Sequence, residues 1–239
     1  DIQMSMLETL FGSGYQMEQL FVDPADLGHT AVARHRTYIY IWPKHLTEYL
    51  HDVHELYAKI SQKIGKVVRT RASDYMVTGV FPRMLQELEL CYRRSIGYRK
   101  DSNGSMRYLL TPREEETLRS LDTSYIERFG RHPASDADLF YCLGDNASFS
   151  KTWSAVSGKL PTFRRSGGVM LQRSTETVMS GCDKLAALGW PVTPEQALNM
   201  GCSQMPCRDP RRADQVAGNA MHLSNAALIL LLGLACFGP

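Results

Sequence analysis

Read for its alternation of apolar and polar positions, the chain divides into a strand-bearing front, a helical middle and an apolar close. Residues 2–11 place apolar side chains at 2, 4, 6, 7, 10 and 11, a loosely helical spacing that Gly12 and Gly14 stop. MEQLFVD (17–23) predicts a short strand ended by Pro24. TYIYIW (37–42), β-branched and aromatic, predicts a second one ended by Pro43. Over residues 45–66, Leu46, Leu50, Val53, Leu56, Ile60 and Ile64 step by three and four, which predicts a helix. Residues 81–94 predict another, with Met84, Leu85, Leu88, Leu90 and Cys91 apolar. The third predicted helix has the clearest ends. Thr111 caps it, Pro112 takes its first position, Glu114 completes a capping box and Gly130 stops it, with Leu118, Leu121, Tyr125 and Phe129 as its stripe.

Residues 131–159 read as loop, with a turn at 144–148 and Trp153 as a core anchor. LPTFRRSGGVMLQ (160–172) suggests a strand pair turning at Gly167-Gly168. Helices are expected at 176–188 and from a second capping box at Thr193-Pro194-Glu195-Gln196, followed by an irregular stretch over 202–212. The last helix is expected to begin near Asn219 or Ser224. It carries NAALILLLGLACF (225–237), a run without charge that reads as buried on all sides and is too short to span a bilayer. Two strands joined by a loop are marginal in water. The front pair therefore needs a larger sheet to lie against, and the expectation is that a sheet-bearing half lies ahead of it.

Composition changes this picture little. With 239 residues, 44% apolar and 22% charged, the chain is long enough for one large domain or a domain with an insert, in the ordinary soluble range. The formal net charge of +2 does not announce nucleic acid, although basic residues cluster at 63–71, 93–100, 164–165 and 208–212, each readable as solvated surface. Six cysteines without a CxxC pair read as free thiols in a reducing compartment. No signal peptide or membrane span is legible. His51-x-x-His54 lacks partner ligands, and GSG (12–14) is a turn rather than a phosphate loop. Starting at Asp1, the sequence reads as a fragment or a processed product.

Three segments carry a resemblance. LPT and SGG (160–168), a predicted helix ending in GWP (189–191) and GNAM (218–221) resemble the last two motifs of the DNA cytosine-5 methyltransferases. DLGHTAVARHRTYIYI (26–41) resembles that family's arginine motif, Gln-x-Arg-x-Arg followed by a strand, with Val32 where the family has glutamine. The matches come in the family's order. The resemblance implies an α/β fold, the C-terminal part of a Rossmann-like methyltransferase, with sheet-edge strands and the arginine motif in 1–44. It further implies a mostly helical target-recognition insert in 45–157, and a return to the catalytic domain in 158–239. The implied reaction is methyl transfer from S-adenosylmethionine to cytosine carbon 5, with DNA as partner, in the nucleus or another DNA-containing compartment. The family's Pro-Cys nucleophile, Glu-Asn-Val acid and glycine-rich donor loop have no match before Asp26, and Pro206-Cys207 reads as coincidence. The expectation is a chain inactive alone that needs an N-terminal catalytic half, on the same chain or a separate one; a non-catalytic binding module stays open beside it.

Arg34 and Arg36, two apart at the mouth of a strand, are expected to project on one face. By resemblance Arg36 would stabilise charge developing on a flipped base, with Arg34 beside it. Gly218, Asn219 and Ala220 would line the methyl-donor pocket, Asn219 being alternatively a helix cap. Arg164, Arg165, Ser166 and Gly168 would meet DNA phosphates, solvent exposure being the alternative.

Overall fold

We describe residues 2–100, 102, 104–165 and 168–239 of a computed structural model, with side chains from Met4 onward. Ser166 and Gly167 lie outside the described residues. The architecture is mixed α/β, with small antiparallel sheets set among helices.

Helix α1 (Ile2–Phe11) leads through Gly12, at a φ of 69°, into β1 (Tyr15–Val22). β1 pairs antiparallel with β2 (Arg36–Pro43) over eight residues from Tyr15↔Pro43 to Val22↔Arg36. Among the described residues no further strand joins this ribbon. β3 (Glu48–Tyr49) follows and pairs with the last strand of the chain. The helix expected over 45–66 therefore begins late, as α2 (Val53–Ile64), capped by Asp52. Leu46 and Leu50 have the helical spacing but are exposed. Tyr57 of α2 donates to Asp26 Oδ2 at 2.6 Å, which ties the helix to the turn after β1.

α3 (Val80–Arg94) and α4 (Pro112–Phe129) form the helical middle. Thr111 and Glu114 make the expected capping box, and Gly130 ends α4 at a φ of 65°. Glu114 also receives both Arg94 guanidinium nitrogens, at 2.7 and 2.9 Å, joining α3 to α4. β4 (Phe140–Cys142) lies in the stretch expected to be loop, and all three of its residues are buried. The strand pair expected at 160–172 forms elsewhere: β5 (Met170–Gln172) pairs with β4 and with β6 (Thr177–Val178), so the turn is at 173–176 rather than at Gly167-Gly168. β6 takes the residues expected to start a helix, and α5 (Gly181–Ala187) follows under a Ser180–Asp183 capping box.

α6 (Pro194–Asn199) is the short helix predicted from Thr193. The expected final helix is two helices, α7 (Pro210–Asn219) and α8 (Leu223–Cys236), before β7 (Phe237–Gly238). No single described helix is long and apolar enough to cross a membrane, and α7 and α8 meet at 44°.

Among the described residues three apolar clusters hold the fold. The first joins Ala31, Val32, Leu160 and Phe163 to α5 and α7. A second packs α3 and α4 on β4–β6 and includes Trp153, as its residue type suggested. The third wraps the ribbon with α2 and α8 through Leu20, Val22, Val53, Tyr57, Leu228 and Leu232. Only one side of α8 enters it: Leu230, Leu231 and Leu234 are 70%, 62% and 81% exposed. The apolar run is thus open along one face, not buried on all sides.

Candidate functional site

The segment 28–35 forms no strand of its own and borrows its order from 159–163. Val32 bridges Leu160 in parallel, the Leu160 amide donates to the Ala31 carbonyl at 2.7 Å, and the Thr162 hydroxyl donates to Ala33 at 3.1 Å. Lys159 closes the end of this pairing on Asp23 at 2.8 Å, and His35 approaches the same carboxylate at 3.1 Å.

Within this frame Arg34 turns inward. It is 4% exposed, and its Nη1 donates to the Phe163 carbonyl at 3.0 Å while Nη2 donates to the carbonyls of Gly218 at 3.4 Å and Ala220 at 2.5 Å. One guanidinium thus ties the segment before β2 to residue 163 and to the end of α7. Burial holds its pKa below the ordinary value, and the like charge of Arg36 adds to the effect. A guanidinium keeps its proton even so. The expectation that Arg34 and Arg36 share a face fails because β2 starts at Arg36 and period-2 geometry does not reach Arg34. Arg36 is exposed, donates to the His35 carbonyl at 2.8 Å, and borders an open depression with Phe21, Asp23 and Asp26.

Gly218 and Asn219 end α7 rather than precede a helix, and His222 caps α8 in the place considered for Asn219. Gly218 lies against the chain at 164–165: a Cβ there would sit 2.6 Å from Arg165 Cα and 2.8 Å from the Arg164 carbonyl carbon. Its lack of a side chain serves backbone packing, and its carbonyl, like that of Ala220, is taken by Arg34. Asn219 is exposed and lines a shallow depression with Arg165, Trp190, Gln215 and Ala220. Arg36 and Asn219 border separate depressions.

Of the residues expected to meet phosphates, Arg164 pairs with Asp145. Gly168 has a φ of 72°, and a Cβ on it would sit 2.5 Å from Gly144 Cα, so its glycine is required by the backbone. Arg165 is exposed and lines a cleft of about 350 Å³ together with Arg93, Arg94, Lys184 and Arg211. Arg94 is held by Glu114, Arg93 by Glu89 and Lys184 by Asp214, whereas Arg165 and Arg211 have no carboxylate partner among the described residues. Three basic clusters far apart in sequence therefore meet in one cleft.

Sequence reasoning missed a buried polar group beside α8. His29 and His222 stack edge to face at 4.5 Å, and the His29 Nδ1 and the Tyr75 hydroxyl lie 2.9 Å apart. His222 Nε2 and both side-chain polar atoms of Asn225 are buried without a protein partner. Burial, joined by the neighbouring His29, brings the His222 pKa down to about 3. Among the described residues no group of three His, Cys, Asp or Glu side chains is arranged to hold a metal ion. No family model matches the chain, and no curated protein matches it.

Proposed function

We propose that this chain is the C-terminal portion of a DNA cytosine-5 methyltransferase-like protein, the back wall of a site whose nucleophile and acid are carried outside these residues. The observation that carries the reading is the Arg34 guanidinium, which bonds Phe163, Gly218 and Ala220 and so gathers all three matched segments at one point. Arg34 acts here as a positioning residue. Arg36, exposed at the start of β2, is the cation that would meet charge building on a flipped cytosine. The finer fold reading, the last strands of a Rossmann-like sheet with a helical insert, is supported by the two-stranded β1–β2 ribbon, which no further strand joins among the described residues, and by the open leucine face of α8.

S-adenosylmethionine fits these residues only in part. Asn219 offers its amide, but the carbonyls of Gly218 and Ala220 are occupied by Arg34, and backbone fills the space beside Gly218. No step of methyl transfer is therefore assigned to this chain, since the covalent route needs a nucleophile.

DNA is the proposed partner, with its phosphates in the cleft of Arg93, Arg165 and Arg211. A non-catalytic DNA-binding module derived from the same family rests on this cleft as well. The test is fluorescence anisotropy of a labelled duplex at two salt concentrations, with Arg165→Glu, Arg211→Glu and the double variant. The expected result is a steep loss of affinity with salt, a shallower slope in each variant, and no methyl incorporation by the chain alone. Equal affinity of wild type and double variant for the duplex removes the cleft from the reading. Methyl transfer by the isolated chain overturns the back-wall proposal.

A further inference from the structure

Beside the basic cleft lies the shallow depression that Asn219 borders, about 490 Å³ in volume. Trp190 supplies its aromatic wall, and the chain fixes this residue twice. Its backbone amide donates to the Leu185 carbonyl at 3.0 Å, and its Nε1 donates to the Met221 carbonyl at 3.2 Å. The half-buried ring packs against the first apolar cluster, as does Met205 of the same lining. With the indole N–H already used, what Trp190 can offer a ligand is its π surface. The rest of the lining comes from α7. Arg212, Val216 and Asn219 recur at intervals of four and three, so one face of the helix borders the depression. Arg211 borders the cleft instead, and Arg165 and Gln215 line both hollows, which therefore share a wall. Among the described residues the side chains of Arg165, Arg212, Gln215 and Asn219 make no hydrogen bond or ion pair.

We propose that this depression is a stacking platform for an unpaired base of single-stranded DNA, whose phosphates continue past Arg165 into the basic cleft. The inference rests on the DNA reading above and adds the form of the nucleic acid. Inside a duplex both faces of a base are covered by its neighbours, so an indole has nothing to stack on until a base is unpaired. Every base then presents a π face, and a single aromatic ring can take it with little sequence preference. Gln215 and Asn219 carry amides that donate and accept at once, which suits the exposed edge of such a base. Arg165 and Arg212 offer guanidinium groups to the phosphates beside it. A shallow hollow suits a strand passing over it better than a small molecule, which binds by being enclosed. The base taken here is separate from the cytosine assigned to Arg36, which borders another depression.

Trp42 and Trp153 are buried, so Trp190 is the tryptophan whose fluorescence an added strand can reach. The whole chain is titrated with a labelled duplex and with the same duplex carrying a short single-stranded gap. Anisotropy should show about tenfold tighter binding of the gapped probe, within the range for one stacked base, and the gapped probe alone should quench Trp190. Trp190→Leu should bring the two affinities together while the salt slopes are kept, because the ring carries no charge. Trp190→Phe should keep most of the preference and lose the quenching. Asn219→Ala, at an exposed position, should weaken the gapped probe alone. Deoxyadenosine monophosphate at the same nucleotide concentration should leave the fluorescence unchanged. Equal affinities without quenching overturn the platform and leave the duplex reading standing, whereas binding of neither probe overturns both. Quenching by the mononucleotide as strong as by the gapped probe overturns the assignment to a strand. The wild-type titrations decide the matter even where a Trp190 variant folds poorly.

Discussion

Gly218→Ala opposes two effects of different sign. Gly218 lies inside α7 without a positive φ, so helix propensity alone favours alanine by about 1 kcal/mol. Packing says the reverse. The new methyl would lie 2.6 Å from Arg165 Cα and 2.8 Å from the Arg164 carbonyl carbon, roughly 1 Å inside the 3.5–4.0 Å at which carbon atoms pack. Those neighbours are backbone and cannot rotate away, so the end of α7 must retreat. Overpacking of this kind costs about 1–3 kcal/mol. Retreat also lengthens the Arg34 bond to the Gly218 carbonyl, already 3.4 Å, and a bond to a charged donor contributes about 1.5–3 kcal/mol. The net expectation is a loss of about 2 kcal/mol, which lowers the Tm by roughly 4–8 °C for a chain of this size. Calorimetry on wild type and variant measures it, with Gly97→Ala as the control, since a Cβ there meets nothing within 4 Å. A Gly218→Ala protein as stable as wild type, or more so, would refute the close backbone packing of the end of α7 on 164–165.

Replacing Arg34 by Met strands the carbonyls of Phe163, Gly218 and Ala220 in a buried setting and should cost about 3 kcal/mol or more; an unchanged urea midpoint would contradict this. His222 is neutral in the fold because burial lowers its pKa to about 3, while in the unfolded chain it binds its proton near the ordinary histidine value of 6.5. The unfolded state therefore holds more protons between those two values, and stability must fall as pH drops through that window. Between pH 7 and 5 the loss from this group is about 2 kcal/mol, read as a falling denaturant midpoint whose slope flattens in His222→Asn; identical slopes would count against it. Gly168→Ala combines a φ of 72° with a methyl placed against Gly144 Cα, and should lower the Tm by several degrees, measured by circular dichroism.

What could be read in advance was what local chemistry decides. α4 was legible from end to end because Thr111, Pro112, Glu114 and Gly130 act within a turn of where they stand. The ribbon was legible because Tyr38, Ile39, Tyr40 and Ile41 are strand formers whatever they touch. The false start at Leu46 has the opposite cause: residues 48–49 pair with 237–238, and no local period announces a partner at the other end of the chain. β4 was invisible because Phe140, Tyr141 and Cys142 are all buried and show no alternation. At the site, three basic clusters were visible one by one, but their meeting in one cleft was not. The inward turn of Arg34 depends on three carbonyls more than a hundred positions away, so no window around it could have revealed its role.

The bare side of α8 sets how the isolated polypeptide behaves in a tube. Leu230, Leu231 and Leu234 stand on adjacent turns and face water, and covering them would release about 3–6 kcal/mol, at about 1.5–3 kcal/mol for a leucine side chain taken fully out of water. A patch of that kind is adhesive. Purified alone, the protein should brighten an environment-sensitive dye such as ANS and elute earlier from a sizing column as its concentration rises; Leu231→Lys with Leu234→Lys should quench both behaviours.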